Sequence, residues 1–137
     1  MYYTSNTTKG ATIVYDFDNE RPIYLQLVEQ LRVEILSGKL ALGDKLPSVR
    51  DFALRAKVNP NTMQKALVEL ERERLIHTER TNGKYVTTDP QVIEKLREQV
   101  IDQKVESFLR DMNSIGVDRK LLLKHLKTRQ GGKNAQK

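Results

Sequence analysis

The chain has 137 residues, 38% of them hydrophobic and 31% charged, with no cysteine and a formal net charge of +6. That length holds one domain, or one small domain with an appendage, and leaves little room for a separate catalytic or large ligand-binding domain. Without cysteine there is no disulfide, thiolate nucleophile or cysteine-based metal site, and no apolar run approaches the ~20 residues of a bilayer-spanning helix.

The excess charge is local. Residues 119–137 carry seven Lys or Arg and no acid. The rest of the chain is close to neutral, so global basicity argues little for a nucleic-acid partner. The start MYYTSNTTKGATIVYDFD lacks the basic residues and apolar block of a secretory signal. The cytoplasm is the expected location.

Residues 1–12 are small and polar and read as loose. Thr12–Phe17 has the composition of a short strand. Pro22 suits the first position of a helix over 22–37. Its apolar residues Tyr24, Leu27, Val28, Leu31 and Ile35 fall on one face at helical period. Gly38 is the expected stop, and Leu40 to Leu46 a connector turning at Gly43-Asp44. In the next helix Ser48 and Asp51 are spaced as a capping box, and Val49, Phe52, Ala53 and Ala56 share a face. Asn59 caps a further helix with Pro60 in its first turn. Met63, Ala66, Leu67 and Leu70 give that helix its core face.

The period then changes. Leu75–Glu79 and Lys84–Thr87 flank Arg80-Thr81-Asn82-Gly83, and Asn-Gly between strand-like runs signals a hairpin. Asp89-Pro90 marks a boundary. Residues 91–113 are helical, with a stripe from Ile93, Leu96 and Val100 that Ile101, Val105, Phe108 and Met112 continue slightly rotated. After Gly116, Asp118 caps a last short helix carrying Leu121, Leu122, Leu123 and Leu126. Gln130 onward reads as disordered.

Two short helices joined by a tight turn and followed by a hairpin make a winged helix-turn-helix, whose second helix enters the DNA major groove. The fold class is therefore mainly α with a small β-hairpin wing, followed by a short helical dimerisation tail. The expected divisions are an N-terminal extension (1–20), the DNA-binding domain (21–88), a helical dimerisation region (89–128) and a basic tail (129–137). Within 45–66 there are five basic residues and one acid, a local patch suited to phosphates. Asn61, Thr62, Gln64 and Lys65 lie opposite the core face. Asn and Gln can bond adenine edges, while Lys can bond guanine or phosphate. Arg50 sits one turn into the first helix of the motif, within reach of backbone or a guanine edge, or else in a surface ion pair. Arg80 and Lys84 flank the hairpin tip, where Gly83 permits close approach. With the caps Ser48 and Asn59 and the tip residue Asn82, these complete the expected DNA-facing set.

His77 and His125 are far apart in sequence and have no acidic cluster of ligand spacing, so no metal and no cofactor is expected. Glu69, Glu71 and Glu73 alternate with Arg72 and Arg74 and read as a solvated helix surface rather than an acid/base pair. The C-terminal stripe either folds back on its own domain or forms a dimer interface. The second reading is favoured and uses Ile93, Leu96, Val100, Ile101, Val105, Phe108, Met112, Leu122 and Leu126. A two-fold dimer presents two recognition helices to a palindromic duplex. The competing reading is a winged-helix module that binds a protein instead of DNA.

The motifs resemble the GntR family of bacterial transcription regulators, and its short YtrA-like branch most closely. They are Pro22-Ile23-Tyr24-Leu25-Gln26, Ile35-Leu36-Ser37-Gly38-Lys39-Leu40, Gly43-Asp44-Lys45-Leu46-Pro47-Ser48-Val49-Arg50, Val58-Asn59-Pro60-Asn61-Thr62 and Gly83-Lys84-Tyr85-Val86. The resemblance implies operator binding through Arg50, the start of the recognition helix and the wing around Gly83. It also implies dimerisation by the helical tail and repression of an operon, often one for a membrane transporter. Any small-molecule effector would bind between the tail helices or at the domain interface. Two positions depart from the family pattern. Arg74 stands where a glycine usually precedes the Leu-Ile strand, and Thr81 replaces the first of two wing glycines.

Overall fold

Helix α3 (Pro60–Arg72) is the centre of the N-terminal part of the fold. Its stripe of Met63, Ala66, Leu67 and Leu70 is at most 1% exposed. It packs against α1 (Ile23–Leu36), α2 (Val49–Ala56) and strand β1 (Ile76–Glu79). Strand β2 (Gly83–Val86) pairs antiparallel with β1, Ile76 opposite Val86 and Glu79 opposite Gly83. Helices α4 (Pro90–Ser114) and α5 (Arg119–Ala135) complete the chain. This computed structural model describes residues 15–135, with side chains described as far as residue 129. The chain divides into two compact units, the first ending at Leu96 and the second starting at Arg97.

Helix ends follow local chemistry. Ser48 Oγ accepts from the Asp51 amide at 3.1 Å and Asn59 Oδ1 from the Asn61 amide at 2.7 Å. Each satisfies an amide that the helix leaves without a partner. Pro22 lies one residue before α1, at its N-cap rather than its first helical position. At C-termini a left-handed residue recurs. Gly38 (φ 83°) ends α1 and Gly116 (φ 80°) ends α4, whereas Lys57 (φ 58°) ends α2 and Arg74 (φ 68°) ends α3. At the last two, Val58 N–H donates to Ala53 O and Leu75 N–H to Leu70 O, both at 3.0 Å. This is the 6→1 bond of a Schellman motif.

Asp44–Leu46, the end of the expected connector 40–46, runs alongside β2. Leu46 N–H donates to Lys84 O at 2.8 Å and Val86 N–H donates to Asp44 O at 2.8 Å. Lys45 bridges Tyr85 in antiparallel sense. The pairing is with residues some forty positions away, so local pattern does not announce it.

Tyr15-Asp16-Phe17 is not a strand; the remainder of that expected strand, 12–14, lies outside the described residues, as does 1–12. Residues 15–21 instead lie against α1. Gln30 exchanges two hydrogen bonds with the Asp16 backbone, and Gln26 does the same with Asp18 while also donating to Arg21 O. The Tyr15 hydroxyl donates to buried Glu34. Gln26, Gln30 and Glu34 are four residues apart, so one helical face holds the whole segment.

The residues of the expected dimer set differ in exposure within one chain. Ile93 and Leu96 are each 8% exposed and belong to the first unit, which therefore extends past residue 88 into α4. Leu122 in the second unit is likewise buried at 8%. These apolar side chains are already shielded within one chain. Val100 and Met112 are half-buried, while Ile101, Val105, Phe108 and Leu126 are exposed. Residues 129–135, expected as a disordered tail, continue α5 to Ala135. Among the described residues no helix is long and apolar enough to cross a membrane.

Candidate nucleic-acid interface

The α2–α3 turn presents a polar, basic surface. Arg50 is exposed and has no hydrogen-bond or ion-pair partner among the described residues. The surface ion pair considered for it is not formed. Asn61, Gln64 and Lys65 are exposed on α3 and Thr62 is half-buried. Ser48 and Asn59 are exposed at the two helix starts, with one side-chain oxygen each already engaged in capping. Val68, one turn beyond Gln64 and Lys65, is 52% exposed and extends this face with an apolar side chain.

Lys65 has a partner that the sequence pattern missed. Its Nζ lies 4.1 Å from the centroid of the Tyr24 ring on α1. Tyr24 was assigned to the core stripe of α1, yet it is only half-buried. A phenol at the end of an apolar stripe, with one edge outward, is the only sequence signal for this role.

At the hairpin, Arg80, Asn82 and Gly83 are exposed, with Asn82 N–H donating to Glu79 O at 3.3 Å. Gly83 has φ 101°. That conformation needs glycine. Lys84 is not at the tip. Its Nζ lies 3.3 Å from Glu71 Oε1 and donates to Thr78 Oγ1 at 2.9 Å, with 17% of the side chain exposed. These contacts tie Lys84 to α3 in the free chain. A strand residue alternates to the face that packs on α3, and a carboxylate waits there. Burial disfavours the Glu71 charge, but the Thr78 and Lys84 donors outweigh it and lower its pKa.

The other carboxylates of this segment are also paired. Glu73 pairs with Arg32 of α1, and Glu69 with Arg72. His77 stacks on Tyr85 and approaches Glu79 at 3.0 Å. Among the described residues no group of acids and histidines could hold a metal ion.

Residues 23–86 match the family model of bacterial regulatory proteins, gntR family. The HTH-type transcriptional regulator YhcF of Bacillus subtilis (strain 168) is 34% identical over 112 residues, covering 82% of this chain and 93% of that protein. The chain belongs to the GntR family. Within it the likeness extends to the YtrA-like branch. The HTH-type transcriptional repressor YtrA of Bacillus subtilis is 36% identical over 107 residues, covering 77% of this chain and 82% of its own length. A solved GntR family transcriptional regulator from Listeria monocytogenes superposes with a TM-score of 0.76 at 39% identity, covering 82% of this chain and 98% of that one. YtrA from Sulfolobus acidocaldarius, a GntR-family transcription factor, gives 0.53 at 30% identity, covering 70% and 99%. The chain is thus a DNA-binding transcriptional regulator of this family rather than an enzyme. The winged helix-turn-helix is the part that the family model spans.

Proposed function

We propose that this regulator acts in the cytoplasm as a dimeric repressor that binds a palindromic operator. The observation that carries the reading is the exposed row Arg50, Asn61, Gln64 and Lys65 across the start of α2 and the outer face of α3. It offers amide side chains suited to base edges and cations suited to phosphates. Repression is supported by similarity to a protein named as a repressor, and a transporter operon by the resemblance to its branch.

Support for two copies comes from the second unit. Ile101, Val105 and Phe108 follow one another along α4 at 43–49% exposure, an apolar row that a lone chain leaves in water. Covering it with a second copy gives two recognition helices for two half-sites about one DNA turn apart.

Fluorescence anisotropy tests the proposal. A duplex from upstream of the protein's own gene is compared with a scrambled duplex at two salt concentrations. Tight, salt-sensitive binding of two chains to one segment supports it. Absence of binding to any duplex at low salt would transfer the exposed surface to a protein partner.

A further inference from the structure

We propose that Tyr24 is a positioning residue for Lys65, and that Lys65 grips a backbone phosphate while base reading falls to Asn61 and Gln64. The inference rests on the DNA-binding reading of α3 and deepens it.

The two flanks of α3 differ. Gln64 lies two turns before Glu71, on the same side of the helix. Glu71 holds Lys84 of β2, so Gln64 is on the flank toward the hairpin. Lys65 is on the other flank, with its ammonium against a ring of α1. A recognition helix lies along the middle of a major groove about 12 Å wide, and the phosphates border that groove on both sides. An ammonium drawn from the helix face toward a neighbouring helix is displaced from base edges toward that border.

The ring also changes what Lys65 can do. A lysine side chain is long and rotamer-rich, and as a phosphate ligand it acts as a point charge. The face of an aromatic ring attracts the ammonium without occupying its N–H donors fully. Tyr24 therefore narrows the positions of the charge before DNA arrives, and leaves donors for a phosphate oxygen. A ring in that place serves this purpose without touching the base pairs.

The test uses the full chain, the duplex from upstream of its own gene and the scrambled duplex, with affinity measured between about 50 and 200 mM salt. Lys65→Ala is expected to weaken both duplexes equally, by about tenfold, and to reduce the salt slope by about 0.9, the share of one phosphate. Tyr24→Leu is expected to weaken both about threefold, Tyr24→Phe to match the parent, and Tyr24→Leu to add nothing in a Lys65→Ala background. A loss confined to the upstream duplex on Lys65→Ala overturns the phosphate role. Additive losses in the double variant overturn the positioning role. If Tyr24→Leu does not fold, a Tyr24→Phe protein that binds more weakly than the parent also overturns it, since only the hydroxyl is gone. If Lys65→Ala binds as the parent does while Arg50→Ala does not, the inference fails and the operator-binding reading stands. If the parent binds no duplex, both fail.

Discussion

The hydroxyl of Tyr15 donates a 3.0 Å hydrogen bond to Oε1 of Glu34, a carboxyl that α1 turns into the protein. Burial raises its pKa to about 7, although the Tyr15 bond and the charge of Lys39 pull the other way. The folded chain therefore holds this proton more tightly than the unfolded chain. The stability it contributes is fully present below the unfolded pKa, near 4.5, and is lost as pH rises through about 7. The span is at most on the order of 3 kcal/mol. Glu34→Gln should flatten denaturant stability between about pH 5 and 8 and raise the melting temperature at the alkaline end. A variant whose pH profile runs parallel to the parent's would remove Glu34 as the source.

Leu67 is fully buried at the centre of the α3 stripe. Leu67→Ala should cost about 2–5 kcal/mol, from lost transfer energy and the cavity left behind. Urea denaturation measures it. A near-neutral midpoint would mean that neighbouring side chains close over the gap.

Arg74 adopts a left-handed conformation, with φ 68°. That backbone costs a non-glycine residue roughly 1–2 kcal/mol, and glycine offsets part of the gain through its freer unfolded chain. Arg74→Gly should therefore stabilise by about 0.5–1 kcal/mol, whereas Arg74→Ala should gain nothing. Equal melting temperatures for the two variants would contradict this account.

Ile101 and Phe108 are 45% and 43% exposed on α4. If they form the contact between two copies, replacing both with glutamate should give monomers in sedimentation velocity, with helical content retained. Persistent dimers would place the contact on another surface. Loss of operator affinity should accompany dissociation, because each half-site is then bound alone.

Much of this architecture is legible in the sequence because it depends on near neighbours. Met63, Ala66, Leu67 and Leu70 show their buried face by spacing alone. Ser48, Asn59 and Gly38 mark helix ends by their own chemistry. Asn82-Gly83 locates the hairpin turn. What escaped the pattern depends on distant partners. The run 44–46 joins the sheet through hydrogen bonds to β2, and its side chains give no alternation over so short a length. Lys84 looked like a tip cation until α3 supplied Glu71. The side-chain amides of Gln26 and Gln30 pair with an irregular backbone segment, which no periodicity encodes. Of the residues proposed to face DNA, the positions on α3 follow from its core stripe. The pairing of Lys65 with Tyr24 requires the packing of α1 on α3.

The pairing of 44–46 with β2 bears on how the protein behaves when crowded. A two-stranded hairpin leaves a free edge on each strand, and such edges can recruit strands from other molecules. Here β2 is flanked on both sides, by β1 and by the Asp44–Leu46 run. The outer borders are β1, four residues ending in Glu79, and the short bridged run at exposed Lys45. Short, charged borders of this kind discourage sheet-to-sheet association. The wing can thus stand out from the domain without becoming a seed for aggregation.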